Sequence, residues 1–327
     1  MDRVTMSVGS GGSASRSFVS DIIFSRLGNE HLLKASDAAL LDTTSKTAFT
    51  TDSYVVRPEF FPGGNIGKIA VCGTMNDLLV SGAVPQYLSF GLIIPEGYPV
   101  ADLERVIDSM AEECKKAGVN IVCGDTKVVD KGGCDGLMIN TSGIGRSVKD
   151  YTDHGRIAEG DVVILTSDIA RHGMSVMLAR GELGFDGEVL SDCACLVDVF
   201  SAVADMDVKF ARDATRGGVA AVLNEIAADG GKGFLIKETD LPMDENVGYL
   251  CDMLGFDPLA VANEGLAVII ISEKDAEKAL ENIKNCENGK RAAIVGRVEG
   301  KGVVLETAIG GKRHIEMPAG ELLPRIC

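Results

Sequence analysis

Apolar residues recur along the first half of the chain with two alternating periods. The stretch TDSYVVRPEFF (51–61) reads as a strand running into a proline-punctuated loop. NIGKIAVCGTMNDLLVSG (65–82) carries apolar residues at helical spacing, and its closing Gly suits a helix C-cap. QYLSFGLIIP (86–95) is strand-like. VADLERVIDSMAEECKKAG (100–118) places Leu103, Val106, Ile107, Met110 and Cys114 on one helical face, with Lys115 and Lys116 near its C-terminus. VNIVCGDTKVV (119–129) and GLMINTSGIGRSV (136–148) read as strands again.

A polar, Gly-containing stretch, KDYTDHGRIAEGD (149–161), marks a boundary. Beyond it the pattern predicts a strand at VVILTSDI, helices around 173–182 and 194–206, and then the segment RDATRGGVAAVLNEIAADG (212–230). Strands LAVIIIS (266–272) and AAIVGRV (292–298) flank the helical EKDAEKALENIKN (273–285). This mixed order predicts two α+β domains, 1–150 and 151–309, rather than one parallel Rossmann sheet. Periodicity fades from Gly310, so 310–327 is expected to be a mobile tail. Its 18 residues span roughly 60 Å if extended at about 3.3 Å each.

Composition narrows the function classes. A length of 327 residues accommodates two domains. The net charge of −16, with a pI near 4.7, argues against nucleic acid or anionic membrane as a partner, because phosphates reward clustered Lys and Arg. The opening MDRVTMSVGSGGSAS lacks the basic and apolar regions of a secretory signal, and no apolar run approaches membrane-spanning length. A cytoplasmic protein is expected. Nine Cys residues form no CxxC pair or zinc-like spacing, so most read as small buried hydrophobes in a reducing compartment. The last one, Cys327 in ELLPRIC, is different: a thiol on a chain end packs poorly and travels well.

Five aspartates stand among small residues: Asp37 in SDAAL, Asp52 in TTDSY, Asp77 in MNDLL, Asp125 in CGDTK and Asp213 in RDATRGG. Each alone reads as a surface carboxylate, except Asp77, which lies inside an apolar helix where a carboxylate needs a cation or donor. Several carboxylates converging on Mg²⁺ form the oxygen-ligand pattern expected around a nucleotide triphosphate. The Gly-rich GSGGSAS (9–15) precedes a helix-like segment and reads either as a phosphate-binding loop or as a flexible terminus. It matches neither the Walker A nor the GxGxxG spacing. Lys127 shares a strand face with Asp125, and Glu264 in ANEG precedes an apolar strand; both read as structural or as site residues.

Taken together, the stretches TDSYVVRPEFFPGGNIGKIAVCGTMNDLLVSGAVP, GDTKVV, RDATRGGVAAVLNEIA, ANEG and LPRIC resemble the HypE family of hydrogenase maturation proteins. The resemblance runs over nearly the whole chain. The wider superfamily, similar to aminoimidazole ribonucleotide synthetase and selenophosphate synthetase, shares the aspartates and the Gly-rich start but not the terminal Pro-Arg-Ile-Cys.

The resemblance implies a two-domain aminoimidazole ribonucleotide synthetase-like fold that dimerises through its N-terminal sheet and carries a flexible C-terminal tail. It implies ATP-dependent dehydration of a carbamoyl group on Cys327 to a thiocyanate, supplying cyanide to the iron of a nickel–iron hydrogenase. A HypF-type carbamoyltransferase would load Cys327, and a HypC–HypD-type complex would receive the cyanide. By the family pattern Asp37, Asp52, Asp77 and Asp213 would hold Mg²⁺ and the ATP phosphates, with Asp125 alongside. Lys127 and Glu264 would flank the thiocarbamate, one removing a proton or stabilising the departing phosphate; the division between them stays open.

Two departures stand out. Arg171 occupies a position where the family often has an acidic residue, and SVGSGG lacks the His often found before this loop. A phosphotransferase or selenophosphate synthetase-like enzyme acting on a free small molecule is the alternative. The Gly-rich start lacks the Cys or selenocysteine and the Lys of selenophosphate synthetases, which counts against it. A non-catalytic scaffold whose Cys327 binds a partner or metal is a third reading, separable by ATP hydrolysis that depends on tail loading.

Overall fold

Two sheets organise the chain, one in each half, and one helix lies between them. The structure is a computed structural model and describes residues 3–4, 18–29, 46–181 and 188–318. Asp37, Cys327 and the Gly-rich 9–15 lie outside the described residues.

The first half holds strands β1 (Thr47–Tyr54), β2 (Phe60–Phe61), β3 (Gly64–Asn65), β4 (Ala83–Pro95), β5 (Asn120–Val129) and β6 (Met138–Ser147). Four of them form a sheet in the order β1-β6-β4-β5, antiparallel except for the β4–β5 pair. Helix α1 (Ile66–Val80) starts where Asn65 Oδ1 accepts from Gly67 N at 2.9 Å and Lys68 N at 3.1 Å. Almost every α1 side chain is buried, because the helix packs on the sheet, on α2 and on the second domain. Helix α2 (Val100–Ala117) is amphipathic and buries Leu103, Val106, Ile107 and Met110. It ends at left-handed Gly118 (φ +68°), with Val119 N returning to Cys114 O at 2.9 Å. The helical stretch before residue 28 lies on α2, where Arg26 reaches Glu104 at 2.9 Å and Asp108 at 2.7 Å.

The second half holds β7 (Val162–Leu165), β8 (Val208–Asp213), β9 (Phe234–Lys237), β10 (Ala267–Ile271), β11 (Ala293–Val298), β12 (Val303–Glu306) and β13 (Lys312–His314). Their order is β13-β12-β9-β11-β7-β10-β8, antiparallel except for β9 with β12. Helices α3 (Arg171–Ala179), α4 (Val197–Ala202), α5 (Gly218–Gly230), α6 (Glu245–Leu254) and α7 (Glu273–Lys284) complete it. Strand β10 is buried along its whole length because both sheet faces are covered. One face, with Ile269 and Ile271, joins a core continuous with α1 and α2; the other, with Val268 and Ile270, packs on α5 residues such as Leu223. The two domains therefore share a core, and the cleft between them is set by packed elements.

Two expectations change. The helix expected around 194–206 covers only Val197–Ala202, and 188–196 runs as irregular chain wedged between the domains. The segment from Gly310, expected to be loose throughout, begins as β13, and Ile315 behind it is 3% exposed. Ile315 N donates to Val303 O at 2.9 Å and Ile315 O accepts from Asn224 Nδ2 at 3.0 Å. A single apolar peg among exposed polar neighbours leaves no periodicity in sequence. Among the described residues no helix is long and apolar enough to cross a membrane.

Candidate active site

A cleft of about 660 Å³ opens between the N-terminal sheet with α1 and the end of β8 with α5. Asp52, Asp77, Asp213 and Glu264 all line it. Strand alternation on β1 turns Thr50, Asp52 and Tyr54 inward while Phe49, Thr51 and Ser53 face out. Asp77 comes from the last turn of α1, Asp213 ends β8, and Glu264 sits in the turn before β10. Glu264 is 4% exposed.

The electrostatics of this grouping are unfavourable without a cation. Burial pushes the Asp77 carboxyl up to about 7, the Asp213 carboxylate adds to the rise, and the Thr50 hydrogen bond opposes it. Burial takes Asp213 to about 6, with Asp52 adding to it. The Tyr54 phenol is also driven well above its ordinary value, first by burial and then by Asp52 and Glu264. Tyr54 OH donates to Asp52 Oδ2 at 3.3 Å.

Among the described residues, no three acidic, His or Cys side chains are gathered closely enough to form a complete metal-ligand set. The donor chemistry still fits Mg²⁺, which takes one or two carboxylates and fills its shell with phosphate oxygens and water rather than a protein cage. Asp52, Asp77 and Asp213 are the residues that would hold it.

The far end of the cleft has a different character. The His154 ring stacks 4.6 Å from Phe210, and its buried Nε2 has no hydrogen-bond partner. Arg212 and Arg216 line the cleft as well, Arg212 pairing with Glu225 at 2.8 Å. Neither His154 nor Phe210 stands out in the sequence, because their neighbourhood depends on two distant segments meeting. Arg216 lies inside the RDATRGG motif, three positions after Asp213 and directly before the Gly pair, and that placement is its signal in the sequence.

Asp125 and Lys127 are placed elsewhere. They lie exposed on edge strand β5, facing outward from the N-terminal sheet, in register with Gly91 and Ile93. The same outer face carries Phe49, 67% exposed, and Ile93, 41% exposed. The eight cysteines among the described residues form no disulfide, and Cys72, Cys114, Cys193, Cys195 and Cys251 are buried.

Two packed α+β domains around an acidic interdomain cleft define an AIR synthase related protein. The AIR synthase related protein, N-terminal domain family matches residues 35–147, and the corresponding C-terminal domain family matches 158–307. A carbamoyl dehydratase HypE of Rhodobacter capsulatus is 45% identical, covering 100% of this chain and 98% of that protein. The crystal structure of a hydrogenase maturation protein HypE in complex with ATP superposes with a TM-score of 0.94 at 42% identity, covering 99% of each chain. That of a HypE–HypF complex gives 0.81 at 44% identity, covering 92% of this chain and 100% of the other. The chain belongs to the carbamoyl dehydratase HypE family.

Proposed function

We propose that the protein dehydrates a carbamoyl group carried as a thiocarbamate on its own Cys327, using ATP and yielding a thiocyanate, ADP and phosphate. The observation that carries this reading is the meeting of Asp52, Asp77, Asp213 and Glu264 in one interdomain cleft. Family membership supports it, because the similar proteins are named carbamoyl dehydratases and one of them binds ATP. The alternative, phosphoryl transfer to a free small molecule, has no comparable support.

An amide oxygen is a poor leaving group. In this reading the thiocarbamate oxygen attacks the γ-phosphorus, ADP departs, and the oxygen becomes a phosphate ester. Loss of both nitrogen protons and cleavage of the C–O bond then release phosphate and leave S–C≡N. Mg²⁺, when bound, offsets phosphate charge during the transfer. Asp52, Asp77 and Asp213 would orient the nucleotide, with Asp37 completing the set. Glu264 is the carboxylate suited to take a proton from the thiocarbamate nitrogen.

The described part of the tail supports a short reach. Pro318 lies beside Gly217, next to the cleft residue Arg216, so Cys327 is the ninth residue beyond the cleft's lip. Nine residues span at most about 30 Å.

A homodimer through the outer face of the N-terminal sheet accounts for exposed Phe49 and Ile93 and gives Asp125 and Lys127, on the same face, their place. In that arrangement Lys127 serves the reaction across the dimer. A HypF-type carbamoyltransferase is the loading partner, a HypC–HypD-type complex receives the cyanide, and the cytoplasm is the compartment. Intact-protein mass spectrometry tests the whole reading. After incubation with the carbamoyltransferase, carbamoyl phosphate and Mg-ATP, Cys327 should gain a carbamoyl mass and then shift to the lighter thiocyanate; an adduct on any other residue would refute it.

A further inference from the structure

The turn that presents Glu264 is built from contacts far away in sequence. Before it, Asn263 donates to Ala214 O at 3.0 Å and accepts from Ala170 N at 2.8 Å. At the turn itself, two successive backbone N–H groups converge on one carboxylate. Glu264 N donates to Asp192 Oδ1 at 3.2 Å and Gly265 N donates to Asp192 Oδ2 at 3.0 Å. Asp192 is 8% exposed. A Cβ on residue 265 would overlap the Asp192 carbonyl oxygen, so glycine permits this approach.

Asp192 belongs to the wedge between the domains, and the wedge is pinned to the first one. Ser191 N donates to Pro62 O at 2.8 Å. Asn76, one residue before Asp77 on α1, accepts from Leu196 N at 2.9 Å and donates to Ala194 O at 3.0 Å. Its Nδ2 also lies 3.4 Å from Glu264 O. The helix that carries Asp77 and the turn that carries Glu264 are thus tied through one segment.

We infer that Asp192 is the positioning residue for Glu264, holding its backbone so that the side chain meets the thiocarbamate at the distance proton transfer needs. The inference rests on the proposed role of Glu264 as base. Asp192 does not line the reaction cleft; it faces a separate cavity of about 340 Å³ behind the turn, so it acts through Glu264. A bidentate, charge-assisted pair of N–H bonds fixes orientation as well as distance. Asn in its place would set an amide donor against one of the two N–H groups, and Ser would accept from one of them at most.

The test compares Asp192→Asn and Asp192→Ser with the parent, each loaded on Cys327 by the carbamoyltransferase and followed through one turnover with Mg-ATP by intact mass. The single-turnover rate constant should fall about ten- to a hundredfold, the loss expected for a misplacement near 1 Å, while loading and Mg-ATP affinity hold. The Ser variant carries the test if the Asn variant does not fold. Combined with Glu264→Gln, either substitution should add no further loss, since both act through one group. Parent-rate turnover in the folded Asp192 variants, or losses that multiply in the double variant, would overturn the inference and leave Glu264 in its role. Parent-rate turnover in Glu264→Gln alone would instead remove the base, and the inference with it.

Discussion

The hydroxyl of Thr50 on β1 donates to Asp77 Oδ2 at 2.7 Å, joining the N-terminal sheet to the carboxylate at the end of α1. This bond opposes the rise in the Asp77 pKa that burial and Asp213 impose. Thr50→Val should therefore push Asp77 further toward its neutral form and weaken Mg-ATP binding several-fold at pH 7. The deficit should shrink toward pH 8.5, where the carboxylate ionises regardless. Calorimetric titration at the two pH values checks both parts, and an affinity equal to the parent's at pH 7 would refute it.

Asp77→Asn and Asp213→Asn should each lower Mg-ATP affinity about tenfold or more, because one anionic ligand is lost from a shell the protein only partly supplies. Unchanged binding in both variants would dissolve the proposed carboxylate group.

The metal-free protein should lose stability as pH rises through the window from about 4 to 7. Asp77 at about 7 and Asp213 at about 6 both lie above the ordinary 3.8, so the folded state binds more protons than the unfolded state there. Their stabilising contribution is complete below the unfolded value and is lost as pH passes the folded ones. The combined effect is on the order of 3–5 kcal/mol, less than the roughly 7 kcal/mol that the two displacements would give separately, because the two carboxyls share one mutual repulsion and Asp77 keeps partial solvent access. Denaturant midpoints across that range should show it, with a flatter profile in Asp77→Asn and a smaller loss when Mg-ATP is present.

Cys327→Ala should abolish loading and leave Mg-ATP binding intact. Glu264→Gln and Lys127→Ala should accept the carbamoyl group and dehydrate it only at a small residual rate. If Lys127 acts across a dimer, mixing these last two variants regenerates one competent site per mixed dimer, about a quarter of all sites under free exchange. Persistence of the full carbamoyl mass in the mixture would place Lys127 and Glu264 in the same chain's site, whereas parent-rate dehydration by either variant alone would take its residue out of the reaction.

Ile315→Ala should destabilise the protein by about 2 kcal/mol, at the low end for a buried aliphatic residue at a sheet edge. It should also slow dehydration while leaving loading by the carbamoyltransferase unchanged, because β13 and Ile315 hold the tail's origin near the cleft. Equal slowing of both steps would show that the anchor does not direct the tail.

The amino-acid sequence by itself determined the long elements: α1, α2 and α7 from their helical periods, and β4 and β10 from apolar runs of sufficient length. It also singled out Asp77, because a carboxylate inside an apolar helix is a misfit visible without coordinates. The short strands Phe234–Lys237, Val303–Glu306 and Lys312–His314 escaped, since three or four residues establish no alternation and their burial comes from neighbouring strands. Helix α6 escaped as well, its apolar face too narrow to stand out among Asp, Asn and Gly. Only the tertiary structure decided that Asp52, Asp77, Asp213 and Glu264 share a cleft, that Asp125 and Lys127 stand on the opposite face of the same sheet, and that Asp192 lies behind Glu264. Local pattern records which face a residue presents within its own element, whereas Asp192 and Glu264 are 72 positions apart and meet through the packing of whole domains.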